Sequence, residues 1–147
     1  MSGFRIVLLL FVVFVSGLNN LFGQSVPDAE LERAAIGYFR AMTSLDFNEA
    51  KKYVQKDVFP VIDMLDSMAD RKARKRMKEI IEKMRVSVVD TRLNEKGDSA
   101  QVRIRVLSVT GDGGTDSAEE NIQFVREDGS WKAVMKLTDD ISSGENR

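Results

Sequence analysis

Tyr38 and Tyr53 are the only tyrosines in the chain, and Asp46, Asp57, Asp63 and Asp90 are the aspartates to weigh beside them. A phenol donor working with a carboxylate base can move a proton without an imidazole or a thiol. That matters because the 147 residues include no His and no Cys. Their absence excludes His-based triads, His-ligated zinc, thiolate metal sites, cysteine nucleophiles, disulfide frameworks and an amino-terminal lipid-modified Cys. Asp46 is better explained as a helix cap, and Asp63 falls on a polar helix face. No Asp sits alone on an apolar strand face, where loss of water would raise its pKa into the range of a general base. Core or interface packing is therefore the expected role of both tyrosines. No catalytic residue, metal site or cofactor is assigned.

Three further features carry chemistry of a softer kind. Met42, Met64, Met68, Met77, Met84 and Met135 are six methionines beyond the initiator, able to fill a core or to adapt to an apolar ligand or partner. Arg71, Lys72, Arg74, Lys75, Arg76 and Lys78 place six cations in eight residues. The expected role is a solvated helix face, and the functional alternatives are anionic lipid headgroups, lipid A-type phosphates or an acidic partner. Asp63, Asp66 and Asp70 precede the run and Glu79 and Glu82 follow it, and pairing with them would neutralise part of its field. Gly111-Asp112-Gly113-Gly114-Thr115-Asp116 lacks both the spacing of a phosphate loop and the ligand count of an EF-hand. It reads as a flexible connection between strands. With 22 Lys/Arg against 23 Asp/Glu and no aromatics interleaved with the cations, nucleic acid is not an expected partner.

The elements that must position these residues are helices first and strands second. Pro27-Asp28 opens a helix whose apolar face is Leu31, Ala34/Ala35, Tyr38/Phe39 and Met42. Asp46 caps a second helix over Phe47–Val54, with Glu49 as a capping-box partner. Val58–Met84 is helical, but its halves conflict. Val61, Met64, Leu65 and Met68 share a face in the first half, whereas Ala69, Ala73, Met77, Ile80 and Met84 share a rotated one in the second. A break or bend near Ala69–Lys72 resolves the conflict.

From Arg85 the apolar period becomes two. Val86 and Val88, then Ala100, Val102, Ile104 and Val106, alternate with polar residues around a turn at Asn94–Asp98. A register shift at Val106-Leu107 implies a β-bulge. Ala118–Arg126 and Trp131–Leu137 follow, joined by a hairpin turn at Glu127-Asp128-Gly129-Ser130. The fold class is α+β: three N-terminal helical segments packed on a curved, four-stranded antiparallel sheet.

Ahead of this domain, Met1–Gly23 reads as a secretory leader, with Arg5 and an apolar run from Ile6 to Val15. Ten apolar residues span about half of a hydrocarbon core of ~30 Å, so a cleaved signal is expected rather than an anchor. The expected layout is a signal peptide over 1–23, a domain over 24–138 and a polar tail over 139–147. The protein is then exported, periplasmic or extracellular, and not lipid-anchored.

Two stretches resemble a known family. Ala34–Met42 followed by Leu45–Val54 is similar to the opening of nuclear transport factor 2-like domains, where a helix with an aromatic pair leads through a Leu-Asp-aromatic link into a second short helix. Glu127-Asp128-Gly129-Ser130-Trp131-Lys132-Ala133-Val134 resembles their closing hairpin. The likeness covers most of residues 28–137 and is nearest to small secreted bacterial versions, some of them grouped as lumazine-binding-like. It implies a cone: a curved sheet wrapped on helices around a pocket. Tyr38, Phe39, Met42, Phe59, Met64, Met68 and Trp131 are then the expected pocket lining, and a homodimer through the exposed sheet face is a further implication. The expected function is non-catalytic, with a small apolar ligand, a peptide or a protein as partner. The alternatives are a cofactor-independent isomerase- or dehydratase-like enzyme using Tyr and Asp, and an envelope-surface protein using its basic helix on anionic lipid.

Overall fold

The computed structural model describes residues 28–135, so the leader expected over 1–23 and the tail expected over 139–147 lie outside the described residues. Asp28 caps the first helix, α1 (Ala29–Thr43), its carboxylate accepting from the Leu31 amide at 2.9 Å. That bond satisfies one of the amides that a helix start leaves unpaired. Leu31, Ala35, Tyr38, Phe39 and Met42 are all buried, as their spacing requires of one helix face.

Leu45 then turns the corner with φ 60°, a left-handed conformation that is costly for a residue with a Cβ. Asp46 caps α2 (Phe47–Ala50) by accepting from the Glu49 amide at 3.1 Å. The helix expected to reach Val54 stops after one turn. No reciprocal capping box forms, because the Asp46 amide donates to the Ala41 carbonyl and the Glu49 side chain meets Lys52 and Tyr53 instead. Sheet pairing is the competitor that ends the helix. Val54 bridges in parallel to Ala133, whose amide donates to the Tyr53 carbonyl at 2.6 Å. Phe47, Ala50 and Val54 still reach the core.

The long helical segment breaks inside the expected Ala69–Lys72 window, although the stripe it buries is not the one that implies the break. After a 3-10 turn at Lys56–Val58, α3 covers Phe59–Met68 and α4 covers Arg71–Glu82. Ala69 between them is extended, with φ −82° and ψ 118°, and Asp70 caps α4 through the Ala73 amide at 2.7 Å. Within α3 the core stripe differs from the one expected. Val58 and Ile62 are buried, with Leu65 and Ala69 packed against the core, while Met64 and Met68 face solvent. The stripe at 58, 62, 65 and 69 follows helical spacing as well as the expected one did. Burial chose between them.

Arg74 ties this region together. One guanidinium nitrogen donates to the Leu45 carbonyl at 3.1 Å; another donates to the Asp66 carbonyl at 2.7 Å and to its carboxylate at 2.9 Å. Its plane also lies 5.8 Å from the Phe47 ring centroid. A single side chain thus joins α4 to α3 and to the left-handed corner after α1.

The sheet is a four-stranded antiparallel meander in the order β1 (Arg85–Leu93), β2 (Ser99–Val109), β3 (Thr115–Glu127) and β4 (Ser130–Ala133). The bulge expected at Val106-Leu107 is absent, since β2 pairs with β3 without interruption from Ser99↔Val125 to Val109↔Thr115. The register shift lies in β1 instead, between Val88 and Asp90. Leu107 and Val109 simply belong to the outer face. The Gly-rich connection is a closed turn, with the Thr110 amide donating to the Gly114 carbonyl at 2.9 Å and Asp112 accepting from the Gly114 amide at 3.0 Å. Asp128 and Gly129 have φ of 52° and 78°, the left-handed pair that a two-residue hairpin demands. Described β4 pairing ends at Ala133, short of the expected Leu137, which lies outside the described residues. α1 lies across the inner face against β1, β2 and β4.

Two stability measurements follow from this packing. Arg74→Lys keeps the charge but loses the fork, and should lower unfolding free energy by about 1–2 kcal/mol in urea melts. A Cβ on Gly37 would come within 2.6 Å of the Tyr53 hydroxyl oxygen. Gly37→Ala should therefore destabilise the wild type by about 1 kcal/mol. In a Tyr53→Ala background the same change should stabilise by up to about 1 kcal/mol, through helix propensity alone.

Candidate functional site

Strand alternation places Ala118, Glu120, Ile122 and Phe124 of β3 on the inner face. Ile122 and Phe124 are buried there, and Glu120 is half-buried. Glu120 sits opposite Ile104, which is fully buried and itself opposite Val88. The row is thus a carboxyl group followed by two aliphatic side chains. Glu120 has no hydrogen bond or ion pair among the described residues. Its neighbour Glu119 points outward and holds Arg105 at 2.6 Å. Adjacent glutamates are therefore split by the pleat into a solvated, paired group and a desolvated, unpaired one.

Burial pushes the Glu120 carboxyl up to about 7, because the charged form loses water and gains no counter-ion. Tyr38, on the buried face of α1, comes near enough to feel it. Its phenol is raised well above the ordinary value, first by burial and then by the Glu120 charge. Near neutral pH the pair therefore offers one phenol that stays protonated and one carboxyl divided between its acid and its carboxylate. Set on an apolar face and half-buried, the Glu120 carboxyl can donate to or accept from a polar group of a ligand, or exchange a proton with it.

The expected site residues separate into three sets. Tyr38, Phe39, Met42 and Trp131 are core residues, each less than 9% exposed. Trp131 is covered by the Arg126 guanidinium, 4.4 Å from the ring centroid. Phe59 packs against the core edge with the Lys51 ammonium 5.5 Å above its ring. Met64 and Met68 are 54% and 74% exposed, so the seven do not line one enclosed space. The carboxylate facing Tyr38 is a glutamate and not one of the expected aspartates. Asp46 caps α2, Asp63 pairs with Lys51, and Asp90 pairs with Arg92 at 2.8 Å. An expectation confined to aspartates as bases leaves Glu120 out. Its signal was present in the alternation Ala118, Glu120, Ile122, Phe124.

The basic run also divides. Arg71, Lys72, Lys75, Arg76 and Lys78 are exposed, with no ion pair among the described residues. Arg74 departs from the expected basic surface, because its guanidinium is engaged by Leu45 and Asp66. On the outer sheet face, Asp90 and Glu119 alternate with Arg92, Arg103 and Arg105 in a ladder of ion pairs. The face that the family likeness would use for a homodimer is thus charged at its centre.

No protein-family model and no curated protein matches the chain. Among solved structures it is similar to a protein described as an NTF2-like transpeptidase from Campylobacter jejuni, with a TM-score of 0.46 and 16% identity, over 69% of this chain and 94% of that one. It is also similar to a SEC-C motif containing protein from Rhodopseudomonas palustris, with a TM-score of 0.40 and 18% identity, over 66% of this chain and 69% of that one. Likenesses at this level transfer no activity, substrate or partner.

The titration of Glu120 gives a stability signature with a definite sign. Its folded pKa is raised from 4.5 to about 7, so the stability it contributes is fully present below pH 4.5 and is lost as pH rises through about 7. Glu120→Gln should flatten that part of the pH–stability curve. At pH 8 it should raise unfolding free energy by about 2 kcal/mol, as read from urea midpoints at pH 5 and pH 8.

Proposed function

We propose that the chain is a non-catalytic binding or accessory module that takes a small, largely apolar molecule at the rim of the inner sheet face. The observation that carries this reading is the half-buried Glu120 carboxyl on an apolar strand face, with no hydrogen bond or ion pair among the described residues and the Tyr38 phenol near enough to feel its charge. An unpartnered buried carboxyl is costly to the fold, and a ligand group that hydrogen-bonds to it offsets that cost. The nuclear transport factor 2-like arrangement suggested by the sequence, in which helices wrap a curved sheet around a pocket, supports the same placement. The leader pattern over residues 1–23 supports export, with the module acting outside the cytoplasm.

A second reading, proton transfer on the ligand, is favoured by one specific observation. A carboxyl poised near pH 7 is matched to general base work at that pH. In that enzyme Glu120 takes the role expected of an aspartate, and Tyr38 is the donor.

Native mass spectrometry of the protein isolated from its own cells tests the first reading. A retained small molecule is expected, and its occupancy should fall at least tenfold in Glu120→Leu, which removes both donor and acceptor. A clean apo mass from the wild type counts against the binding site. If the retained molecule is chemically converted on incubation and Tyr38→Phe slows that conversion by orders of magnitude, the enzyme reading replaces the binding one.

A further inference from the structure

α4 carries its cations where an isolated helix would not place them. Arg71 and Lys72 occupy its first turn, at the positive end of the helix dipole. Arg71 and Lys75, and Lys72 and Arg76, are like-charged pairs four residues apart, which repel each other on one face. The preceding aspartates do not relieve them. Asp63 is taken by Lys51, Asp66 by Arg74, and Asp70 by the Ala73 amide. Glu79, four residues after Lys75 and three after Arg76, and Glu82, four after Lys78, offset part of the charge in the second half of the run, whereas Arg71 and Lys72 have no acid at that spacing on α4. The internal fold therefore consumes the aspartates of the α3–α4 hairpin and leaves Arg71, Lys72, Lys75, Arg76 and Lys78 exposed, with no ion pair among the described residues. A solvated face placed for helix stability would show the opposite arrangement, with acids in the first turn.

The other half of the hairpin presents apolar surface. Met64 and Met68, four residues apart on α3, are among the large hydrophobic side chains exposed on the described residues. Met68 ends α3, and Arg71 begins α4 three residues on, within about 11 Å of chain. Exposed flexible apolar side chains beside unpaired cations are the combination that an anionic lipid interface rewards. The apolar groups enter the acyl boundary, and the cations meet the surface potential. An acidic protein would also meet both the cations and the methionine pair, and the vesicle comparison below separates the two. No helix among the described residues is long and apolar enough to span a bilayer, so contact of this kind lies on the surface.

We infer that the α3–α4 hairpin is a docking surface for anionic lipid, with Arg71, Lys72, Lys75, Arg76 and Lys78 as the electrostatic element and Met64 and Met68 as the apolar one. The inference is independent of the Glu120 site, so either can fail alone. The test is co-sedimentation of the full chain with vesicles at limiting lipid, comparing phosphatidylcholine alone with an equal mixture of phosphatidylcholine and phosphatidylglycerol. The apolar leader contributes to both compositions, so the preference for the anionic vesicles reads the hairpin. That preference should be at least tenfold at low salt and should collapse at about 0.5 M salt. The triple variant Lys72→Gln, Lys75→Gln, Arg76→Gln should lose at least tenfold, with an unchanged thermal melt. Met64→Ser with Met68→Ser should lose several-fold while keeping the salt dependence. Equal binding to the two compositions overturns the inference, as does a preference that ignores salt or survives the triple variant. Capture by polyglutamate with no vesicle preference overturns it in favour of an acidic protein partner.

Discussion

The inner face of the sheet can stay apolar only if neighbouring strands present matching positions to it, and β1 does not do so by simple alternation. Val86 and Val88 face inward at even positions, whereas Thr91 and Leu93 face inward at odd ones. The bulge between Val88 and Asp90 reconciles them by leaving Val89 without a partner. Val86, Val88, Thr91 and Leu93 then stand opposite Val106, Ile104, Val102 and Ala100. Without it, Asp90 and Arg92 would turn into the core, and a buried unpaired charge is among the costliest defects a small domain can carry. The bulge instead sets Asp90 on the outer face, opposite Arg103. The core under α1 and the ion-pair ladder outside both rest on that single extra residue.

Against this sorting of charge, Glu120 is the exception. The other inward positions from Ala100 to Val106 on β2 and from Ala118 to Phe124 on β3 are aliphatic, alanine or aromatic, and the polar pair Ser108 and Asp116 follows only at the more exposed end of the same face. The same pleat that turns Glu119 to Arg105 turns Glu120 to Ile104 and toward Tyr38. Local departures from an otherwise consistent pattern tend to mark sites under functional constraint. The α3–α4 hairpin departs in the complementary sense, because its aspartates are engaged by internal bonds while all its cations but Arg74 are left to solvent.

Much of the architecture was legible without coordinates. Apolar residues at three- and four-residue steps marked α1, and Asp28 and Asp46 marked two caps that the structure contains. The break expected within 58–84 is present at Ala69, but the rotated first-half face that implies it is not the one buried. The change to a period of two marked the meander, and Asp-Gly marked the closing hairpin. Less was legible where two local patterns were equally good. α2 could have run on to Val54, and only pairing between residues 53–54 and Ala133 decided otherwise. α3 could have buried Met64 and Met68, and only its docking decided for Ile62. Two adjoining apolar residues at Val106-Leu107 imply a bulge on local pattern alone, yet Leu107 and Val109 need none once the outer face carries some apolar surface.

The sequence by itself determined the classes of element, their order, the chemistry closed to a chain without His or Cys, and the presence of a cationic helix. Those properties follow from residue type and short-range spacing, which the chain carries wherever it lies in space. Tertiary structure alone decided which carboxylate is desolvated, which cations are left unpaired and which methionines meet water. Each of those depends on what a distant segment places opposite: Ile104 and Tyr38 for Glu120, Asp66 and Leu45 for Arg74, Lys51 for Asp63. Solvation and pairing are properties of neighbours, and the neighbours here are brought together by the fold.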